Sequence, residues 1–321
     1  MSRRVLVRTP CRLHFGLTSL GHSCERPQFG GVGVMIDVPG VHLEIVPAKR
    51  FGIEGPLSER VAYFSNSIFH RLQFSFPPEL CIQVLSAPRE HTGLGVGSQL
   101  GLAVAAGLAE SLGFPWRDPS RLCQLTGRGR RSAVGTYGFL MGGLVVDGGH
   151  LQHEPLGRLT YHGALPDDWH FVLLTPPSLE GLSGKDEDLT IADLPQVSVE
   201  VTQQLESLVA DEIIPAVEAT DFELFSQSIY QFGCIAGDCF AAAQGGTFYS
   251  PATARLVAWL REIGFQGVGQ SSWGPTIFAM TPSLKEAHRL KTAAKAHEIY
   301  SDYEIQLGPA SNTGVQVEVF D

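Results

Sequence analysis

The sequence predicts an α+β fold divided into two lobes. Three observations agree with that architecture. Strand-like and helix-like periodicities occur in both halves of the chain, no internal repeat or low-complexity segment organises them, and 321 residues suffice for two modest domains. Hydrophobic residues make up 44% of the chain, enough for a well-buried core.

The elements come in this order. Arg4–Arg8 reads as a strand ending at Thr9-Pro10. In Gly40–Pro47, Val41, Leu43 and Ile45 share one face of a second strand, and a glycine-rich stretch, Phe29–Val34, lies between the two. Cys81–Leu85 is a short strand. A helix opens near Gly97 or Ser98, with Leu100, Val104, Leu108 and Ser111 at helical spacing and Gly113 as its stop. Asp118 caps the next helix and Pro119 suits its first position. Leu140–Asp147 reads as a strand. Gly163–Asp168 is a plausible linker before the apolar strand Phe171–Thr175, so residues 1–166 and 167–321 form the two expected domains. In the second half, Asp221 caps a long helix whose stripe is Phe222, Phe225, Ile229, Phe232, Ala236 and Phe240. Such a stripe is core rather than a cofactor box. Ser250-Pro251 opens another helix closed by Gly264, and Thr281-Pro282 opens a third. Tyr303–Leu307 and Val315–Phe320 are the last strands.

A formal net charge of −10 argues against an extended nucleic-acid-binding face. It leaves room for a small anionic substrate, because Arg128, Arg130 and Arg131 form a local basic cluster. Its bland alternative is a solvated surface patch. The six cysteines are scattered without a C-x-x-C pair, as expected of reduced thiols in a cytoplasmic protein. The N-terminus lacks a signal-peptide core, and no stretch reaches the roughly 18 apolar residues of a membrane span.

The segment His91-Thr-Gly-Leu-Gly-Val-Gly-Ser-Gln99 carries the most chemistry. Gly93, Gly95 and Gly97 alternate just before a helix, so backbone N–H groups can approach an anion where the helix leaves its first amides unpaired. Phosphate or diphosphate is the natural guest, with Ser98 offering a hydroxyl to the phosphate or its magnesium ion. The bland alternative is a flexible helix entry. The loop is not a Walker A loop, since no Gly-Lys-Ser/Thr follows, and the acidic residue of a dinucleotide fingerprint is missing. Asp37 and the run Asp186-Glu187-Asp188 are candidate magnesium contacts by ligand type. His150 and His153 lack a third ligand and do not make a zinc site.

Three motifs in order resemble the kinase-like superfamily named for galactokinase, homoserine kinase, mevalonate kinase and phosphomevalonate kinase. They are Pro10-Cys-Arg-Leu-His-Phe-Gly16, Pro88 with Gly93-Leu-Gly95 and Gly97-Ser98, and Gly267-Val-Gly-Gln-Ser-Ser-Trp-Gly-Pro275. The resemblance covers nearly the whole chain. It implies an N-terminal lobe with a mixed sheet of the small-ribosomal-protein kind, a ferredoxin-like C-terminal lobe, and an active site in the cleft between them. It permits a homodimer.

One departure decides the chemistry. Thr136 stands where the kinases place a catalytic aspartate, and threonine is no general base near neutral pH. The variant motifs, with Gly30-Gly31-Val-Gly33, Gly127-Arg-Gly-Arg-Arg-Ser132 and Gly135-Thr-Tyr-Gly138, instead resemble the β-ribofuranosylaminobenzene 5′-phosphate synthase branch of methanopterin biosynthesis. That resemblance implies condensation of phosphoribosyl pyrophosphate with a para-substituted benzoate, amino or hydroxy, releasing carbon dioxide and pyrophosphate. It implies Mg²⁺ and no organic cofactor. On this reading Arg12, His14 and Thr136 occupy the catalytic positions, and Ser98 and Asp37 the metal positions. Gly93, Gly95, Gly97 and Ser98 take the diphosphate. Arg128, Arg130 and Arg131 take the 5′-phosphate or the carboxylate, and Gln270, Ser271, Ser272 and Trp273 line the aryl pocket. The alternatives are an ATP-dependent small-molecule kinase with a relocated base and a non-catalytic nucleotide-binding regulator.

Overall fold

The computed structural model describes residues 3–21, 25–38, 40–75, 77–179, 181, 189–191 and 193–320. The run Asp186-Glu187-Asp188 lies outside them, as does Cys24. Strand β1 (Arg4–Arg8) forms where Val5 and Val7 alternate with polar residues, and both valines are fully buried. β1 pairs antiparallel with β4 (His42–Pro47), which pairs with β6 (Leu80–Ser86), while β5 (Gly52–Glu54) joins β6 in parallel. The last strand, β13 (Gln316–Phe320), returns to close this sheet on the free side of β1.

A second sheet has the order β2 (Cys11–Leu17), β3 (Gly31–Ile36), β7 (Leu144–Asp147) and β8 (Leu159–Gly163), antiparallel throughout. The third has the order β10 (Val268–Gln270), β11 (Ile277–Thr281), β9 (His170–Thr175) and β12 (Glu304–Pro309). In chain order it runs strand, helices, two strands, helix, strand, with β9 and β11 central. That is the ferredoxin-like arrangement. The fold is therefore α+β with two lobes, and the chain passes between them after β8.

Helix α1 (Ser58–Arg71) packs on α2 (Val96–Leu112), which is buried along nearly its whole length. Small residues let α2 settle on the first sheet: a Cβ on Gly107 would meet Ile45 Cδ1 at 2.8 Å. Asp118 caps α3 (Pro119–Thr126) through the Arg121 amide, as the sequence predicts. Helix α4 (Val134–Met141) corrects one expectation. Leu140 and Met141 belong to its last turn, and the strand starts only at Leu144, after Gly142 and Gly143. Helix α5 (Val199–Leu208) continues through a π turn into α6 (Ile214–Glu218).

Helix α7 (Phe222–Asp238) joins the lobes. Asp221 caps it, and Phe225, Ile229, Phe232 and Ala236 are buried in a core continuous with β1, β4 and α2. Phe240 falls beyond its end. After α8 (Ala241–Gln244), α9 (Pro251–Glu262) opens on a Ser250–Thr253 capping box, and α10 (Leu284–Ala296) is capped by Ser283 rather than Thr281. Among the described residues, no helix is long and apolar enough to cross a membrane.

Candidate active site

The glycine-rich loop meets the second lobe backbone to backbone. A Cβ on Gly274 would lie 2.2 Å from the Gly93 nitrogen, and one on Gly93 would lie 2.2 Å from the Ser271 carbonyl oxygen. Only paired glycines permit this approach. Ser271 locks it. Its hydroxyl donates to the Gly93 carbonyl at 2.8 Å and accepts from the His14 amide at 3.2 Å. The Ser272 amide adds a bond to the His14 carbonyl at 3.0 Å. His91 and Ser272 hold left-handed backbone at φ 62° and 55°, so non-glycine strain flanks the interlock on both sides.

At the start of α2, Gly95 is the N-cap, and no side chain caps the first amides. Three arginines surround this end. Arg12 Nε lies 3.1 Å from a Cβ placed on Gly95, and Arg60 Nη2 and Arg128 Nη2 lie 2.8 and 3.8 Å from one placed on Gly97. Arg60 and Arg128 both sit over the Phe64 ring, at 6.0 and 5.0 Å from its centroid. Glu90 is within 3.5 Å of Arg60. Against a chain of net charge −10, this is a concentrated positive field at a helix N-terminus. Ser98 stands in the first turn, with its Cβ 4.0 Å from a Cβ placed on Gly135.

Arg130 points elsewhere. With Arg71, Gln124, Arg128 and His150 it lines a neighbouring cavity of about 400 Å³. Neither the Arg71 nor the Arg130 side chain has a hydrogen bond or ion pair to any described residue. Arg131 is half-buried beside Ser132.

His14 sits where β2 bulges, between the His14 and Gly16 registers on β3. Bulges re-aim side chains next to sites. Gly31 makes room for the imidazole, since a Cβ there would lie 3.0 Å from both Cε1 and Nε2. His14 as a residue is 5% exposed, and burial together with the Arg12 charge lowers its pKa to about 3. Nε2 is 3.2 Å from Ser132 Oγ, and Ser132 is 3.2 Å from Asp147 Oδ2 at the end of β7. Asp147 also accepts the Ala133 amide at 2.5 Å and the Gly149 amide at 2.9 Å. Burial raises its carboxyl to about 6 despite these bonds.

The structure thus brings Arg12, His14, Gly93, Gly95, Gly97, Ser98 and Arg128 to one place, and it sets four other candidates apart from them. Thr136 is 2% exposed and faces Cys123, 3.5 Å from its sulfur, so it stands away from the loop as packing. Asp37 lies exposed beyond β3, in a depression with Arg8, His42 and Gln316, and does not meet Ser98. Gln270 spends its side chain on the Tyr249 amide and the Ser272 carbonyl. Trp273 packs edge-on to Phe240 in a small apolar cluster with Leu20 and Ile191. Arginines rather than carboxylates ring the loop, and among the described residues no group of three His, Cys, Asp or Glu could hold a metal. The described residues therefore do not by themselves supply a magnesium site, and the acidic candidates at positions 186–188 lie outside them.

Sequence reasoning assigns no role to Ser132, Asp147, Arg60 or Arg71. A signal exists for Asp147: a charged residue ends the apolar run Leu-Val-Val and is followed by two glycines. Arg60 and Arg71 sit on α1, whose approach to the loop is a tertiary fact.

The family model described as GHMP kinases C terminal matches residues 213–299. Beta-ribofuranosylphenol 5′-phosphate synthase of Archaeoglobus fulgidus is 26% identical, over 98% of this chain and 99% of its own length. The protein of that name in Methanocaldococcus jannaschii is 25% identical over 98% of this chain and 100% of its own. Among solved structures, mevalonate pyrophosphate decarboxylase from Streptococcus pyogenes superposes with a TM-score of 0.68 at 12% identity, covering 97% and 98% of the two chains. Homoserine kinase from Cytophaga hutchinsonii gives 0.65 at 16%, covering 99% and 98%. The chain has the GHMP-kinase fold and is similar, along nearly its whole length, to proteins named beta-ribofuranosylphenol 5′-phosphate synthase.

Proposed function

We propose that this protein is a synthase that joins phosphoribosyl pyrophosphate to a para-substituted benzoate, releasing carbon dioxide and pyrophosphate and leaving a C-riboside 5′-phosphate. The single observation that carries the reading is its end-to-end similarity to proteins named beta-ribofuranosylphenol 5′-phosphate synthase. Those names favour 4-hydroxybenzoate as acceptor over 4-aminobenzoate. The geometry agrees on two counts. The loop is ringed by guanidinium groups suited to a diphosphate, and the side chain at position 136 is turned into the core.

The diphosphate is assigned to the open amides at the start of α2, with Arg12, Arg60 and Arg128 around it. As the bond to the anomeric carbon breaks, charge accumulates on the departing diphosphate. Donors already aimed there stabilise it without reorganising. The 5′-phosphate is assigned to the cavity at Arg71, Arg128 and Arg130, where planar guanidinium forks suit phosphate oxygens. Arg128 touches both regions and so sets the span between the two anions. The anomeric carbon would then lie near His14 and Ser132. Holding both substrates in line supplies most of what this chemistry needs from a protein, because the ring's own para donor drives the attack. Magnesium is proposed only as a companion of the diphosphate, with Ser98 as the hydroxyl available to it. Cys11, Cys81, Cys123, Cys234 and Cys239 carry thiols rather than disulfides, which suits a cytoplasmic enzyme.

The test incubates pure folded protein with phosphoribosyl pyrophosphate, magnesium and each acid, and measures carbon dioxide, pyrophosphate and the riboside. Production of all three from at least one acid is expected. Absence of turnover with both, together with formation of ADP from ATP and homoserine or mevalonate, would replace this reading with a kinase.

A further inference from the structure

His14, Ser132 and Asp147 come from β2, the segment before α4, and β7, and they meet in a line. The direction of each hydrogen bond along that line can be worked out. Both Asp147 oxygens accept backbone amides, Oδ2 from Ala133 and Oδ1 from Gly149. An ionised carboxylate has only acceptors, so the Ser132 hydroxyl donates to Oδ2. With its one hydrogen committed, Ser132 Oγ accepts from the Val134 amide at 3.3 Å and from His14. Nε2 of His14 therefore carries the ring proton. Nδ1 is a bare lone pair with no hydrogen-bond partner among the described residues.

The backbone around the carboxylate is shaped to hold it. Gly149 adopts φ +75°, which turns its amide onto Asp147, and a Cβ on Gly157 would lie 2.1 Å from Asp147 Oδ1. Two glycines thus form a socket for one side chain. The kinase-type aspartate position, occupied by Thr136, contributes nothing to it.

We propose that Asp147, Ser132 and His14 form a proton relay that takes the para-hydroxyl proton of the aryl acid, with His14 Nδ1 as the atom that touches it. The proposal rests on the function argued above. In the step, the phenol O–H bond breaks and an Nδ1–H bond forms. The Nε2 proton passes to Ser132 Oγ, whose own proton passes to Asp147 Oδ2. The imidazole ends neutral in its other tautomer, so no imidazolium forms beside Arg12. The phenolate pushes electron density to the ring carbon bearing the carboxylate. That carbon bonds to the anomeric carbon as pyrophosphate leaves with its bonding pair. Carbon dioxide then departs, its C–C bonding pair restores the aromatic ring, and the phenolate recovers its proton by the reverse route. No oxidant or reductant enters.

The surroundings support a relay over a lone base. Arg12 on β2 faces His14, and Cys123 on α3 and Tyr137 on α4 are the titratable groups that feel Asp147. An isolated imidazole held near pKa 3 is a feeble acceptor for a phenol proton. Asp147, pushed up to about 6, is the better resting place for it. A para-amine already presents its donor lone pair and needs no such removal, so the two acids separate the roles.

The experiment compares wild type, Asp147→Asn and Ser132→Ala with 4-hydroxybenzoate and 4-aminobenzoate from pH 5 to 9. With the hydroxy acid, kcat should fall about 100-fold in each variant, the ordinary scale of general-base loss. With the amino acid the fall should stay under about 10-fold, and the acid limb of kcat/KM should be present for the hydroxy acid only. Equal losses with both acids, or no loss, would overturn the relay. The ¹⁵N chemical shifts of His14 in the substrate-free protein test it independently of any reaction. Nε2 should be protonated and Nδ1 bare, and the reverse tautomer rules the relay out even in an active enzyme. If wild type turns over neither acid while His14 shows the expected tautomer, the failure lies with the assigned reaction and not with the array.

Discussion

At the scale of single residues, neighbours rather than residue type decide what each group does. His14 and Asp147 make the point through opposite effects of burial. The folded pKa of His14, about 3, lies below its ordinary 6.5, so the unfolded chain takes up the proton first and stability falls as pH drops through that window. The folded pKa of Asp147, about 6, lies above its ordinary 3.8, so the folded chain holds the proton longer and stability falls as pH rises from about 4 to 6. The two slopes oppose each other in wild type. His14→Gln should remove the first and leave urea midpoints that decline more steeply with rising pH between 4.5 and 6.5. Asp147→Asn should tilt the curve the other way, and identical pH profiles for both variants would contradict the assignment. Thr136 gives the complementary case. By sequence it occupies a motif's catalytic aspartate position, yet its hydroxyl meets only Cys123. Thr136→Val should keep kcat within about twofold of wild type, at a cost on the order of 1 kcal/mol for one buried hydroxyl. A collapse of kcat in a folded variant would restore it to the catalytic machinery. Position in a motif is readable from sequence, whereas the direction a side chain faces on a short helix such as α4 is set by what packs around it.

At the scale of elements, the glycine motifs that sequence reading treats as anion loops also work as joints. The stretch Gly30–Gly33 clears space for the His14 ring, and Gly274 lets the second lobe's turn lie directly on Gly93. Neither purpose is visible in spacing, because the partner residue is more than a dozen positions away. The elements themselves are more legible: Asp118, Asp221 and Ser250 cap the helices their side chains announce. The interlock makes a prediction. In Gly274→Ala the new methyl would fall 2.2 Å from the Gly93 nitrogen, backbone against backbone, so one strand of the joint must move. The glycine loop should shift, and KM for phosphoribosyl pyrophosphate should rise at least about tenfold, the size expected when donors lose alignment with an anion. Ser271→Ala should act in the same direction but more weakly, since it removes two hydrogen bonds without a clash. Arg60→Gln should also raise that KM while leaving the acceptor's unchanged, which steady-state kinetics with each substrate varied in turn would show.

At the scale of the whole molecule, the two lobes share one core. A sequence boundary near residue 166 separates the second sheet from the third, but it gives no sign that later residues return to the first core. Helix α7 carries Phe225 and Phe232 into the same core as Val5, Ile45 and Phe64, and β13 crosses back to pair with β1 along five residues, from Arg4 opposite Phe320 to Arg8 opposite Gln316. A C-terminal strand in the N-terminal sheet is a long-range pairing that local patterns cannot announce. Val315, Val317 and Val319 read only as a strand with one apolar face. The site depends on this union, because Ser271 and Gly274 reach the loop only while the lobes stay docked. Unfolding should therefore be a single transition. Trp116 reports on the first lobe and Trp259 on the third sheet's packing, so single-tryptophan variants retaining one or the other should give coincident urea midpoints, matching far-UV circular dichroism. Deleting residues 316–321 removes the β13 ladder and bares the edge of β1, whose flanking β4 is already paired. The truncated chain should lose several kcal/mol and should weaken substrate binding in parallel with stability, although no deleted residue lies near the loop. Two separate transitions in the intact protein, or a truncation that leaves stability unchanged, would show the lobes to be independent and the interlock to be a contact rather than a coupling.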